Sequence, residues 1–318
     1  MNNTLKVTVF AVALGMTFSA AYGIGTAADP ITAPPAGSQH APHQENTAMN
    51  HREQHPEKTS ALPAGLQVSR DGYTLDLHTP RITAGRETSL RFAIKDESGK
   101  PVTDYTKTHD KELHLIVASH DLNTFRHLHP TRNADGTWST PVELPAAGDY
   151  RVFADFTPAK PGATGLTLGA DLAVAGAYQP RELPPQRATA ETDGYTVTLS
   201  GNLVPGAMSE VTLSVAKDGK PVTDLEPYLG AYGHLVALRA GDLAYLHVHP
   251  EGEPGDAVTQ PGPAITFMAT APTLGTYRLF LDFKHRDTVH TAAFTVHTGT
   301  TTAGTGSPGG HSHDGKGH

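Results

Sequence analysis

At 318 residues the chain has room for two domains of ordinary size. Its 37% hydrophobic and 18% charged residues, with 32 Gly and 25 Pro, suit short strands joined by turns rather than long helices. A net charge of -8 without a basic stripe leaves no footprint for nucleic acid. The lack of cysteine excludes disulfides, thiolate zinc sites and a cysteine-ligated copper centre, so the 19 histidines and the carboxylates are the available metal donors.

Lys6 precedes an uncharged run from Val7 to Ala28. Its core, Val7 to Ala21, fits the apolar region of a signal peptide, and the whole run exceeds the roughly 20 residues that span a bilayer. Residues 1–28 are therefore expected to be a signal peptide or membrane anchor. Either way the rest of the chain lies outside the cytoplasm, secreted or held on the outer face of the membrane. Residues 29–62 are rich in Pro, Ala, His, Gln and Glu and poor in large apolar side chains, and are expected to form a disordered tether. The tail, 299–318, is Gly/Thr/Ser-rich and carries His311, His313 and His318. Its histidines and those of the tether (His40, His43, His51, His55) are weak metal binders by composition or merely polar linker.

Between these segments one unit occurs twice. Asp71-Gly72-Tyr73-Thr74 returns as Asp193-Gly194-Tyr195-Thr196, and Gly99 to Asp104 (Gly-Lys-Pro-Val-Thr-Asp) returns as Gly219 to Asp224. The Pro-rich stretch around Tyr178 to Pro185 marks the boundary. The expected domains are 63–178 and 189–298, with 179–188 as linker. In the first unit Tyr73, Leu75 and Leu77 alternate, as do residues 89–94, and Asp96 to Lys100 reads as a turn. Leu113 to Ala118 is a mostly apolar strand and Phe125 to His129 alternates again. Gly148-Asp149-Tyr150 and Gly275-Thr276-Tyr277 match the Gly-x-Tyr entry to the F strand of immunoglobulin-like domains, without the paired cysteines. The predicted fold is all-β: two tandem immunoglobulin-like β-sandwich domains behind an N-terminal signal or anchor segment.

The chemistry lies in a second repeated pattern, H-x12-H-x-H-P. It comprises His114, His127, His129 and Pro130, then His234, His247, His249 and Pro250, 120 residues later. In a strand, side chains alternate faces, so His127 and His129 share one face with Cβ atoms about 7 Å apart. A neighbouring strand about 4.8 Å away supplies His114. If Tyr150, Val152 and Ala154 face the core, Asp155 faces outward, and the F–C–C′ strand order brings it onto the face of the three histidines. The second unit yields His234, His247, His249 and Asp282. Three imidazoles with a candidate carboxylate suit Cu(II), Zn or Ni better than Mg or Ca. The bland alternative is a polar strand end closed by proline, faithfully copied when the unit was duplicated. His109, His120, His285 and His290 have no counterparts in the other unit and are expected to be solvated, or at most neighbours of the ligands. His78 and His297 are expected to be structural or exposed.

The run from His114 through His129-Pro130, together with Gly148-Asp149-Tyr150-Arg151-Val152-Phe153-Ala154-Asp155-Phe156, resembles secreted bacterial β-sandwich proteins grouped with metal-handling, copper-associated proteins such as the YtkA-like domains. The resemblance covers roughly residues 66–297 as two copies. It implies an exported metal-binding protein and supplies no catalytic residues. The expected function is thus non-enzymatic: extracytoplasmic buffering, sequestration or delivery of Cu(II), or else Zn, at one site per domain. Its partners would be metal ions, a protein that exchanges them, and the membrane if the N-terminal segment is retained. Two other classes stay open at this point. One is a metal-dependent enzyme using an open three-histidine site. The other is a tandem-sandwich adhesion or scaffold protein without metal.

Overall fold

In the computed structural model residues 62–299 are described, apart from His247 and the side chain of His249. The expected signal or anchor segment, the tether up to residue 61 and the tail from residue 300 lie outside the described residues. Among the described residues no helix is long and apolar enough to cross a membrane.

The first repeat contributes β1 (Ser69–Arg70), β2 (Tyr73–Leu77), β3 (Arg81–Thr83), β4 (Thr88–Lys95), β5 (Tyr105–Thr106), β6 (Leu113–Ser119), β7 (Phe125–Leu128), β8 (Thr131–Arg132), β9 (Thr137–Val142), β10 (Gly148–Pro158) and β11 (Leu166–Ala175). They form one sheet in the order β1-β2-β4-β9-β8 and another in the order β3-β11-β10-β6-β7, with β5 paired to β10. The second repeat contributes β12 (Thr189–Thr192), β13 (Tyr195–Gly201), β14 (Met208–Lys217), β15 (Lys220–Pro221), β16 (Gly233–Arg239), β17 (Tyr245–Leu246), β18 (Val248–Pro250), β19 (Ala264–Thr270), β20 (Gly275–His285) and β21 (Thr288–Thr298). These form β12-β13-β14-β19-β18, with β15 on β14, and β17-β16-β20-β21.

Each pair of sheets closes over its own core, built by the inward half of every alternating strand. Leu90, Phe92, Trp138, Tyr150 and Val152 belong to the first core, and Val197, Phe267, Tyr277, Leu279 and Phe294 to the second. The predicted tyrosine corner is present in both. Tyr150 Oη donates to Ala146 O and Tyr277 Oη to Thr273 O, each at 2.9 Å. Gly148 and Gly275 enter these strands with φ of +134° and +154°, a backbone that other residues rarely adopt. The two repeats are tandem immunoglobulin-like sandwiches.

A third apolar cluster lies on the outward face of each inner sheet, where the two repeats meet. Ile116, Ala118, Leu122, Phe125 and Phe153 of the first sandwich pack with Val236, Leu238, Leu243 and Phe280 of the second. All seven residues of β6 are buried, because one face of this strand lines its own core and the other meets the second sandwich. Phe125 stacks on Phe280 with centroids 4.1 Å apart and planes within 7°. The equivalent pair, Tyr245 and Phe153, sits at 5.8 Å, so the junction has approximate two-fold character. The segment before β1 seals it: Ala64 bridges Tyr245, and Gly65 N donates to Thr167 O. This close approach requires Gly169, where a Cβ would fall 2.0 Å from Gly65 O.

Each buried aromatic ring here contributes about 1.5–3 kcal/mol through loss of apolar surface to water. We expect Phe280→Ala to destabilise the protein by about 3–5 kcal/mol. A double-mutant cycle with Phe125→Ala, read by urea unfolding, is expected to show coupling of about 0.5–1.5 kcal/mol. Additive single effects would mean the stacked pair contributes no interaction of its own.

Candidate metal centre

Register places the histidines. β10 pairs with β6 so that Asp155 lies opposite His114, and β6 pairs with β7 so that Ile116 lies opposite His127. The same register, carried one step on, sets His114 across from position 129. His114, His127 and Asp155 therefore share the outward face of the sheet, the face that the strand period predicts. Leu128 turns the other way, onto the first core. The strand itself ends at Leu128 rather than at His129: β7 belongs to the inner sheet and β8 to the outer, and the chain crosses between them at His129-Pro130. Proline cannot donate to a ladder, and the crossing falls where that donor is lost.

Three imidazoles converge. A ligand nitrogen from each of His114, His127 and His129 lies within 4.8 Å of the other two. Ring centroids are 5.4 Å apart for His114 and His127, 5.2 Å for His114 and His129, and 4.8 Å for His127 and His129. The hydrogen bonds at the outer edges of the rings assign their protons. Nε2 of His114 lies 3.0 Å from the carbonyl oxygen of Thr108, which can only accept, so Nε2 carries the hydrogen. Nδ1 of His127 lies 2.8 Å from Oδ2 of Asp282, so Nδ1 carries the hydrogen there. In the neutral rings the two remaining nitrogens, His114 Nδ1 and His127 Nε2, both present lone pairs, and they face each other at 3.1 Å. Two lone pairs held that close call for a cation between them, a proton or a metal ion. Ligands of a tetrahedral ion with bonds of about 2.0–2.1 Å stand about 3.3 Å apart, close to this spacing. Nε2 of His129 is buried without a hydrogen-bond partner.

Burial keeps His114 and His129 neutral. Burial pushes His114 down to about 3 and His129 to about 3, with neighbouring imidazoles adding to the effect in both. Neutral imidazole is the ligating form.

Of the second set, only His234 has a described side chain; His247 and the side chain of His249 lie outside the described residues. His234 repeats the device of His114, its Nε2 donating to Tyr228 O at 2.7 Å. Among the described residues its ring neighbours those of the first set. It lies 6.1 Å from His127 and 6.3 Å from His114, and His109 packs edge-on at 5.2 Å. Burial lowers His234 to about 4.

The carboxylates differ from expectation. Asp282, assigned by sequence to the histidines of the second repeat, is opposite His234 in the ladder but accepts from His127 of the first. The physical reason is the docking of the two outward faces, which brings an acid of one sheet over an imidazole of the other. Asp155 is on the predicted face but outside the three-histidine group; its Oδ1 accepts from Thr167 Oγ1 at 3.3 Å. Burial raises it to about 6. It lines a cavity of about 280 Å³ together with His114, His127, His234 and Tyr245.

Two further corrections concern histidines with no counterpart in the other repeat. His285 and His290 are 4% and 7% exposed rather than solvated. His285 joins Tyr195 Oη to Asp224, and His290 Nδ1 donates to Asp193 Oδ2 at 2.7 Å. Of the others, His78 contacts Asp76, His297 pairs with Thr276 and His120 is exposed.

The sequence carries a signal for the docking in its outward strand positions. Phe153, Phe280, Ile116 and Val236 occupy outward positions where a solvated sheet would carry polar residues.

The fold and site together define a tandem immunoglobulin-like protein with a histidine-lined junction. The chain belongs to the family described as a domain of unknown function, DUF8832, which matches residues 67–165 and again 190–300. No curated protein matches it. Among solved structures it is similar to the adhesin FdeC of Escherichia coli, at 14% identity and a TM-score of 0.24, over 72% of this chain and 65% of that one. It is also similar to the Yersinia pseudotuberculosis adhesin InvE, at 12% identity and 0.23, over 73% and 60%. The chain thus spans less than two thirds of the length of either. Likenesses this distant say nothing of function.

The shifted histidines set a pH dependence. Because their folded values lie below the ordinary value of 6.5, the unfolded chain binds more protons between the two. Their contribution is fully present above about pH 6.5 and is lost as pH falls toward the folded values. Asp155, raised rather than lowered, acts in the opposite sense, its contribution growing below pH of about 6. Three imidazoles outweigh one carboxyl, so the melting temperature of the ion-free protein is expected to fall from about pH 7 to about pH 4.5. A flat profile would contradict the burial of these rings.

Proposed function

We propose that the chain is a non-enzymatic extracytoplasmic metal-binding protein that buffers, sequesters or delivers a divalent ion, Cu(II) first and Zn second. The observation that carries this reading is the tautomer arrangement. Ring N–H groups of His114 and His127 are held by a carbonyl and a carboxylate, which turns their lone pairs toward one point beside the unpartnered Nε2 of His129. Imidazoles that bind metals commonly donate their other N–H to such acceptors. A donor set of neutral nitrogens suits Cu(II) and Zn and is poor for Mg or Ca. The predicted export segment puts the site outside the cytoplasm.

The test is elemental analysis of the exported protein purified without a His tag, beside His127→Ala/His129→Ala. We expect copper or zinc near one equivalent or more in the wild type, and loss of at least one equivalent in the variant. Equal metal content in both would overturn the reading, since only the tether, the tail and other histidines would then be binding.

A metal-dependent enzyme is the second reading, favoured by the cavity that His114 and His127 line beside Asp155. It requires turnover that depends on added metal and disappears in His127→Ala.

A further inference from the structure

The three candidate ligands all belong to the first sandwich, yet the group that fixes one of them belongs to the second. Asp282 sits on β20 with both carboxylate oxygens engaged: Oδ1 accepts from Thr291 Oγ1 and Oδ2 from His127 Nδ1. The side chains of His127 and Asp282 are 6% and 4% exposed, so the bond is shielded from water. The same-domain carboxylate, Asp155, is directly across from His114 in the ladder but bonds to Thr167 instead. Position along the sheet alone therefore does not decide which acid serves the histidines. Docking does.

We propose that Asp282 is a positioning residue for the ion and that, through it, a divalent ion bound by the first sandwich fastens the second sandwich against it. This rests on the metal-binding reading above.

Two physical arguments support it. A dication among three neutral imidazoles carries its full charge into a desolvated place, where an uncompensated ion is costly. Asp282 is the carboxylate hydrogen-bonded to that group, one ring away from the ion. Conversely, metal on Nε2 withdraws electron density from the ring and strengthens the Nδ1–H bond to Asp282. The two events are thus linked, and linkage is reciprocal: if docking tightens ion binding, the ion tightens docking by the same factor. The apolar contacts of Phe125 with Phe280 hold the faces in register, and the ion adds a polar fastening beside them.

The experiment uses the full chain with Zn(II), with His114→Ala/His127→Ala/His129→Ala as the blank for weak binding elsewhere. Calorimetry gives affinity, and amide hydrogen exchange gives protection strand by strand. In the wild type, Zn(II) is expected to slow exchange in 113–119 and also in 233–239 and 275–285, although no ligand of the group lies in those last two segments. Asp282→Asn is expected to weaken Zn(II) binding by about 10–100-fold and to abolish the added protection of the second sandwich. Thr291→Val, which keeps the carboxylate but removes the donor on Oδ1, is expected to show a smaller loss of the same kind and guards against a folding defect in the first variant. The proposal is overturned if Asp282→Asn and Thr291→Val bind Zn(II) as the wild type does, or if protection in the wild type stays within the first sandwich. Should the wild type bind no more than the triple variant, the metal-binding reading itself has failed, and that result is distinct from the other two.

Discussion

The outward faces of two inner sheets bury each other, and the chemistry of the junction follows from that. A histidine on the solvated face of a sandwich titrates near its ordinary value, points where solvent allows and exchanges its tautomers freely. Pressed under a second sheet, His114, His129 and His234 lose the option of charging, because their folded values are driven down by burial. A ring hydrogen buried there needs a fixed acceptor, since a buried donor without one costs about 1–3 kcal/mol. Thr108 O provides it for His114, Tyr228 O for His234 and Asp282 for His127 beside them. Desolvation thus converts three mobile polar side chains into oriented ones.

Much of this was legible in the sequence. The period of two in a strand put His114, His127 and Asp155 on one face, and the Gly-x-Tyr entries placed the tyrosine corners, because each depends on local geometry that neighbouring residues dictate. The C–C′ pairing followed from the short connection between antiparallel neighbours, and the place of F beside C from the immunoglobulin strand order. What was not legible was the partner of that face. His127 and Asp282 are 155 positions apart in the chain, and no local rule joins them. The repeat gave no hint of it, since identical motifs invite pairing each acid with the histidines of its own unit. The buried state of His285 and His290 was hidden for a similar reason. Their partners Asp224 and Asp193 come from loops and turns of other strands, not from neighbours in the sequence.

The approximate two-fold relation of the halves shows where duplication was kept and where it was broken. His114 and His234 retain the same carbonyl partner six residues earlier, in a turn whose next residue has positive φ in both copies: His109 at 51° and Leu229 at 55°. Asp155 and Asp282 retain the same threonine across the ladder, Thr167 and Thr291. These are the devices that orient a donor or an acceptor. The packing positions have diverged instead: Phe125 faces Phe280 as a parallel stack, whereas Tyr245 meets Phe153 at a 43° tilt. His109 in place of leucine adds an imidazole on one side only.

That asymmetry bears on how a junction can hold an ion at all. Ordering a flexible side chain around a metal costs conformational entropy, and charge brought into a dry place costs solvation. In a junction of folded sheets the first cost is already met by packing, because His114 and His127 are held by a backbone carbonyl and a carboxylate before any ion arrives. The second is lowered only if an anion is nearby, and among the donors and acceptors bonded to the three-histidine group Asp282 is the carboxylate. A single sandwich would supply three imidazoles and no such compensation, since its own aspartate turns to Thr167. Two sandwiches with their faces apart would leave His127 free to choose either tautomer and Asp282 free to be hydrated. The site is therefore a property of the docked pair, which is why the repeat of the histidine motif and the apolar character of the outward strands belong to one explanation.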